Sequence, residues 1–320
     1  MANPDRTATA KAWHRLAARV LPGFAPAERA LYRDLLVLGG GFALLTLIAY
    51  AATLSFATPT PRDGTSLIIG RDFLNFWMYG RAAVSADPGR WYDLGAYQVA
   101  LYDLFGMMMT GANWSYPPTV MWLAAPFGLL PYLAALLLWS LLGPLLLARV
   151  ARADLAEPRV IAALLLSPAA VFCLICGQGA FLITALLVGF FALLDRRPVL
   201  AGVLLGLLTV KPQLGLLFPV LLLAQQRWRC LAAAAATTLL LAALTTAAFG
   251  TSVWLRYVDL ALPVQAEVLA DRDGIAVPFY VTVYMNLRGL GVPPPAALAV
   301  QGLFAVAAAA AVALAARRAR

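Results

Sequence analysis

Hydrophobic and polar positions fall along this chain in long blocks rather than in alternation. A first apolar run covers 35–56, about long enough to cross a 30 Å hydrocarbon layer as one helix. "ATPTPRDG" ends it. The segment 57–116 that follows is rich in aromatics, Asp, Gly and Pro and holds no run long enough to span. Within it, "DFLNFWMYGRAAV" and "YDLGAYQVALYDLFGMM" read as helices with an apolar face. Short helices lying in the membrane interface are expected there. The next run, 117–150, is too long for one helix and too short for two comfortable ones. Shorter apolar runs follow at 160–175, 180–194, 199–210 and 214–224, then a longer one at 231–249. A second polar-aromatic stretch covers 250–295, and a last apolar run covers 296–316. Half-length helices with polar residues at their junctions suggest a cavity within the membrane rather than a simple bundle.

Composition gives the same class. The chain is 62% hydrophobic and 12% charged, against about 25% charged in soluble domains. The expected fold is an all-α polytopic membrane protein. A net charge of +9 does not point to nucleic acid here. The basic residues gather between apolar runs, in 1–34, "ARVARAD", "LDRRP", "QQRWR" and "ARRAR", as cytoplasmic loops do under the positive-inside rule. All of these clusters fall on one side if 117–150 crosses once with its first part re-entrant, which makes about eight crossings. The 1–34 segment lacks an apolar core before a small-residue cleavage site, so no signal peptide is evident. It is expected in the cytoplasm, with an amphipathic surface helix around 11–21. The remainder, 35–320, reads as one transmembrane domain. Asp72, the "CGQGA" and "VKPQ" turns and both polar-aromatic loops, 57–116 and 250–295, then face outward.

Several chemistries are poorly supplied. The one His, His14, lies in the basic N-terminal segment, which excludes a His-based catalytic centre. Cys173 and Cys176 form a C-x-x-C without a second pair or a His cluster, and they and Cys230 read as small buried hydrophobes. No group of carboxylates stands at metal-ligand spacing, so no metal and no cofactor is expected.

The polar residues that remain are few. If "DFLNFWMYGRAAV" is helical, Phe73, Phe76, Trp77, Gly80 and Val84 share an apolar stripe, and Asp72, Asn75 and Tyr79 share a more polar one. Asp72 then sits at a helix N-terminus, where the dipole favours its charge. Two roles are open for it, an N-cap and a catalytic carboxylate. Arg71 beside it has three options: steering phosphate, pairing with a carboxylate, or meeting headgroups. Tyr116 precedes Pro117 and Pro118 at the start of an apolar segment, where prolines suit a first helical turn; Trp114 and Tyr116 fit an aromatic belt. Gln178 lies between two glycines at a junction of apolar runs and needs a partner or water. Gly202 and Gly206 form a G-x-x-x-G, the mark of close helix packing. Lys211 sits between two short apolar runs, with Pro212 breaking the helix after it. It must snorkel or pair, and in an outward cavity it can bind an anion such as a phosphate. Arg272, Asn286 and Arg288 are the notable polar groups of the late loop, and Arg suits phosphate oxygens.

Taken in order, "RDFLNFWMYGRAA", "YPPTVMWLAAPFGLLP", "GQGAFLITALL", "AGVLLGLLTVKP" before "QQRWR", and "VYMNLRGL" resemble glycosyltransferase family 87 of the C superfamily, the polyprenyl-phosphate-mannose-dependent mannosyltransferases. The resemblance covers most of 35–290. It implies an inverting, multi-spanning hexosyltransferase of the cytoplasmic membrane. Its donor would be a polyprenyl-phosphate sugar reached from the outer face, and its acceptor a cell-envelope lipid or glycan. It implies that Asp72, at the family's external-loop Asp position, is the catalytic base. Lys211, Arg272 and Arg288, in that order, are candidates for the donor phosphate. Arg71, Asn75, Tyr79, Tyr116, Gln178 and Asn286 are further pocket candidates. Family members usually continue through further spans, whereas this chain stops at "ARRAR" after one late helix, so it is either compact or C-terminally short. Related enzymes use arabinofuranosyl lipids, so an arabinofuranosyl donor stays open beside mannose. Two other classes compete: a transporter or flippase of lipid-linked glycans, which would also have broken helices, and a non-catalytic membrane scaffold.

Overall fold

Proline, glycine and charge decide where each helix of this protein starts and stops. The computed structural model describes residues 28–109, 112–154, 158–271 and 281–318. The 11–21 helix and most of the basic N-terminal segment therefore lie outside the described residues. The first helix, α1 (Glu28–Ala52), presents Leu38 and Leu45 outward. It ends at Ala52, short of the expected 56, because 53–70 folds into an elbow. Isolated antiparallel bridges join Ser55 to Arg62 and Arg62 to Ile68 in that elbow.

Then come α2 (Arg71–Ala83), α3 (Leu94–Phe105) and α4 (Val120–Gly128). The ambiguous 117–150 run divides at Pro131 into the short α4 and the long α5 (Tyr132–Asp154). Proline lacks an N–H and pushes the residue before it out of helical geometry. The run at 160–175 is likewise broken, into α6 (Pro158–Leu165) and α7 (Pro168–Cys176). Ser167 caps α7 by accepting from the Ala170 N–H. Next are α8 (Ala180–Leu193) and α9 (Pro198–Gly206), the latter prolonged by a 3₁₀ turn at Leu207–Val210. A second 3₁₀ turn, Pro212–Gly215, leads into α10 (Phe218–Ala224), and α11 (Trp228–Phe249) follows. The late loop holds α12 (Ser252–Arg256), a π turn at Tyr257–Ala261, α13 (Leu262–Ala270) and α14 (Val283–Gly289) before α15 (Pro294–Arg318). Among the described residues, four helices are long and apolar enough to cross a membrane, in α1, α5, α11 and α15.

The densest packing is where α2 crosses α4. A Cβ on Gly80 would stand 2.2 Å from the Ala124 carbonyl oxygen, and one on Gly128 would stand 2.1 Å from the Gly80 carbonyl carbon. The two backbones touch, and only glycine permits that approach. Here the structure differs from the expectation of an interfacial helix with one apolar face. Phe73, Leu74, Met78, Tyr79 and Ala82 are fully buried, so α2 is packed against protein over most of its circumference, with Arg81 left exposed. Phe76 packs on Trp139 of α5, ring centroids 4.3 Å apart, and Tyr79 stacks on Trp114 at 3.9 Å. The aromatics that read as a membrane anchor, Trp114 included, form an internal core. Gly202 and Gly206 of α9 meet α11 as closely as their spacing suggests. Added Cβ atoms would lie 2.3 Å from the Cys230 oxygen and 2.5 Å from the Thr237 Cβ.

The helices alternate in direction. The end of α1, all of α2–α4, the α7–α8 turn, Lys211 and the described segment 250–271 gather at one end. Arg149, Arg152, Arg196, Arg197, Arg227, Arg229, Arg317 and Arg318 sit where helices terminate at the other.

Gly80→Ala is expected to force α2 from α4 and destabilise the protein by about 1–3 kcal/mol or more, as overpacking does. Gly302→Ala, at a site with nothing within 4 Å of the added Cβ, should be neutral. Thermal unfolding of the two purified variants in one detergent compares them.

Candidate active site

The site is built where three chain reversals converge. The first is the start of α2. Its N-cap is Gly70, in the left-handed region at φ 67°, and no side chain caps the helix. Asp72 therefore does not serve as the cap; it sits in the first turn with its carboxylate directed elsewhere. Tyr132 fixes this start by donating its hydroxyl to the carbonyls of Ile69 (2.6 Å) and Gly70 (3.1 Å).

The second reversal ends α7. Gly177, at φ 69°, closes the helix with a paired C-terminal turn. Its N–H donates to Leu174 O at 3.2 Å, and the Gln178 N–H donates to Cys173 O at 2.8 Å. A Cβ on Gly177 would lie 2.6 Å from the Phe73 Cβ, so the turn presses directly on the start of α2. Trp139 locks it by donating its indole N–H to the Gly177 carbonyl at 3.0 Å. Gln178, the next residue, then donates its side-chain amide to Oδ2 of Asp72.

The third reversal is at Lys211. Pro212 forbids helix continuation, and Lys211 adopts an extended conformation at φ −139°, ψ 72°. Its ammonium lies 5.4 Å from the centroid of the Tyr116 ring, within cation–π range. Tyr116 is itself held by its backbone. The Tyr79 hydroxyl accepts from its N–H at 3.0 Å and donates to its carbonyl at 2.9 Å, and the Tyr92 hydroxyl donates to the same carbonyl at 3.1 Å.

Asp72, Tyr116, Gln178 and Lys211 line one cavity, with Phe76, Trp139, Val120, Leu123, Leu182, Ile183 and Val210 among its walls. It is partly open to the surroundings, with an internal volume of about 30 Å³. Asp72 is its one acid and Lys211 its one base among the described residues. Burial raises the Asp72 carboxyl above the ordinary Asp value, against the opposing pull of the Gln178 hydrogen bond, Arg71 and Lys211. Such a carboxylate is a better proton acceptor than a solvated one.

Arg71 is diverted from the cavity. It pairs with Asp63, a residue of the elbow that is 4% exposed. Thr65 also donates to Asp63, through its backbone N–H (2.9 Å) and its hydroxyl (2.6 Å). Burial opposes the Asp63 charge, but these hydrogen bonds and the Arg71 guanidinium outweigh it and hold the carboxyl below its usual value. The other candidates also lie elsewhere. Asn75 accepts from the Tyr97 hydroxyl, and Tyr79 is buried behind Tyr116. Asn286 is exposed and donates to Thr282 O at 2.8 Å. Arg288 is not brought to this cavity: its guanidinium donates to the carbonyls of Val292 (3.0 Å) and Ala270 (3.1 Å). Arg272 lies outside the described residues. Among those residues no group of three or more His, Cys, Asp or Glu is placed to hold a metal ion.

Asp63, Tyr132 and Trp139 shape the site without having stood out in the sequence. Asp63 sits in an "RDG" turn signal. Trp139 lies inside an apolar run, where its indole N–H, which needs an acceptor, was the only cue.

A sequence model of glycosyltransferase family 87 matches residues 114–320, more than half the chain. The match includes Tyr116, Gln178 and Lys211; Asp72 enters the cavity from the preceding segment. No curated protein and no solved structure matches the chain.

Asp63→Ala is expected to destabilise the protein by about 3 kcal/mol, since it strands Arg71 without its partner. In the wild type the Asp63 contribution is present at neutral pH and fades as pH falls through its depressed pKa. Unfolding at pH 7 and at progressively lower pH measures both.

Proposed function

Because the chain belongs to glycosyltransferase family 87, we propose that it moves a hexose, mannose first, from a polyprenyl-phosphate donor to a hydroxyl of a cell-envelope lipid or glycan. The observation that carries this reading is the cavity itself. One carboxylate and one ammonium face a space whose remaining walls are mostly apolar. An apolar wall suits the first isoprene units of a lipid donor. A single cation suits one phosphate.

In this reading Asp72 is the general base. The acceptor oxygen attacks the anomeric carbon from the face opposite the phosphate, and its proton passes to the Asp72 carboxylate. The bond from the anomeric carbon to the phosphate oxygen breaks, and the electron pair leaves with the lipid phosphate. The product is inverted at that carbon. Lys211 is positioned in advance for the charge that develops on the leaving phosphate, where a fixed cation helps most. Gln178 orients the base: it donates to Oδ2 of Asp72. Tyr116, clamped at both backbone polar groups, keeps the Lys211 ammonium at the cavity. Arg272 ranks below Lys211 as a phosphate ligand, and Arg288, which donates to the Val292 and Ala270 carbonyls, is set aside.

The four long helices and the shorter apolar runs would together make the eight crossings expected from the sequence. The Arg-rich end would face the cytoplasm and the cavity the outer face, in accord with the positive-inside rule.

Asp72→Asn is expected to cut turnover by about 10²–10⁴-fold, the usual contribution of a general base, with donor affinity nearly unchanged. Lys211→Ala should instead weaken donor binding about tenfold or more, about 1.4 kcal/mol. Steady-state kinetics with donor-binding titrations separates the two. Near-normal turnover in Asp72→Asn would remove the base from the mechanism.

The pH profile adds an independent check. The base works only when deprotonated, so activity rises with pH through the Asp72 pKa, which lies above the ordinary Asp value. Gln178→Ala removes a hydrogen bond that favours the carboxylate, so the acid limb of kcat/KM should move to higher pH. A limb that stays in place would show that Gln178 does not act through Asp72.

A further inference from the structure

At the end of the molecule opposite the cavity, an open groove runs between the start of α9 and the start of α11. It is lined by Arg197, Pro198, Val199, Leu200, Val203 and Arg229. We propose that this groove binds an acidic phospholipid, its headgroup phosphate held by Arg197 and Arg229 and one acyl chain lying along α9.

The two guanidiniums are uncommitted. Four arginines elsewhere are engaged: Arg71 has Asp63, Arg227 has Asp195, Arg256 has Asp87, and Arg62 donates to Phe105 O. Arg197 and Arg229 are exposed and make no side-chain hydrogen bond or ion pair among the described residues. The nearby acid, Asp195, is already neutralised by Arg227. The local field is therefore positive, and the two free planar forks suit phosphate oxygens.

The apolar wall supplies the second half of the match. Val199 and Val203 are one helical turn apart on α9 and Leu200 flanks them, so they share a face. Val199 and Leu200 are exposed, 57% and 41%. The adjacent side of α9 is fixed against α11 through Gly202, and Val199 and Leu200 remain exposed beside it. Trp228, 58% exposed at the same level, suits the boundary between headgroups and chains.

A phosphate here is not the donor phosphate of the catalytic cavity. Lys211 and this groove lie at opposite ends of α9, and the 14 residues of α8 (Ala180–Leu193) that also connect the two ends span about 20 Å. The groove faces lipid of the leaflet on the Arg-rich side, where basic groups near an anionic surface strengthen binding.

The test uses the full chain, purified and delipidated. It is titrated with phosphatidylglycerol or phosphatidylcholine of the same chain length and read by native mass spectrometry. Phosphatidylglycerol is expected to bind at least tenfold tighter. The double variant R197Q/R229Q should lose that preference while sugar transfer in zwitterionic micelles stays unchanged. The control R317Q/R318Q, with the same change of charge elsewhere, should keep it. The proposal is overturned if the wild type shows no preference, if R197Q/R229Q binds like the wild type, or if R317Q/R318Q loses as much. Competition by inorganic phosphate at the lipid's own concentrations would also overturn it, assigning the arginines to a soluble anion.

Discussion

The contact between Gly177 and Phe73 governs the geometry of this protein. The turn that ends α7 presses on the first turn of α2 so closely that a Cβ would lie 2.6 Å from the Phe73 Cβ. Gly177 must also hold a left-handed backbone, so two independent requirements select glycine. Once the contact is made, the next residue has little freedom. Gln178 reaches across to Asp72, and Trp139 ties the same turn to α5. A carboxylate from the first loop and an amide from a membrane helix turn are thus set in one site by backbone contact. Their side-chain attraction alone would not achieve this, since one hydrogen bond to a carboxylate adds only about 1.5–3 kcal/mol.

Electrostatics is arranged around that contact by exclusion as much as by attraction. Arg71 is adjacent to Asp72 in sequence, yet Asp63 claims its guanidinium. Arg71 still favours the Asp72 charge at a distance, but its hydrogen bond goes to Asp63, and burial outweighs the remaining pull and raises the carboxyl. Lys211 is left as the cation of the cavity, with an aromatic ring rather than an acid beside it. An ammonium held against a π face keeps its charge available, whereas one paired to a carboxylate would have to break that pair to meet a phosphate.

Much of this was legible in the sequence, and the reasons differ by element. The apolar runs marked the long helices because their length is set by the membrane. Pro212 marked a true break because proline cannot continue a helical hydrogen-bond ladder; the division of 117–150 at Pro131 did not stand out. Asp72, Gln178 and Lys211 stood out as polar residues at junctions of apolar segments. The burial of α2 was not legible. Its aromatic stripe looked like a membrane anchor, because periodicity reports which face is apolar and not whether lipid or protein covers it. The Arg71–Asp63 pair and the Trp139 lock depend on residues brought together by the fold, and no local pattern announces them. Arg288 shows the converse: a conspicuous charge in a late loop that the fold spends on two backbone carbonyls.

The protein is thus polarised along its helices, with the candidate cavity at one end and free arginines at the other. The family assignment establishes a glycosyltransferase; the claim at the centre of the account is that the sugar comes from a lipid phosphate. Purified protein in detergent, where no gradient exists, incubated with a panel of radiolabelled polyprenyl-phosphate sugars and lipid acceptors, tests it most directly. The account predicts transfer of label to an acceptor with inversion at the anomeric carbon. Transfer only from nucleotide sugars, or with retained configuration, would contradict it.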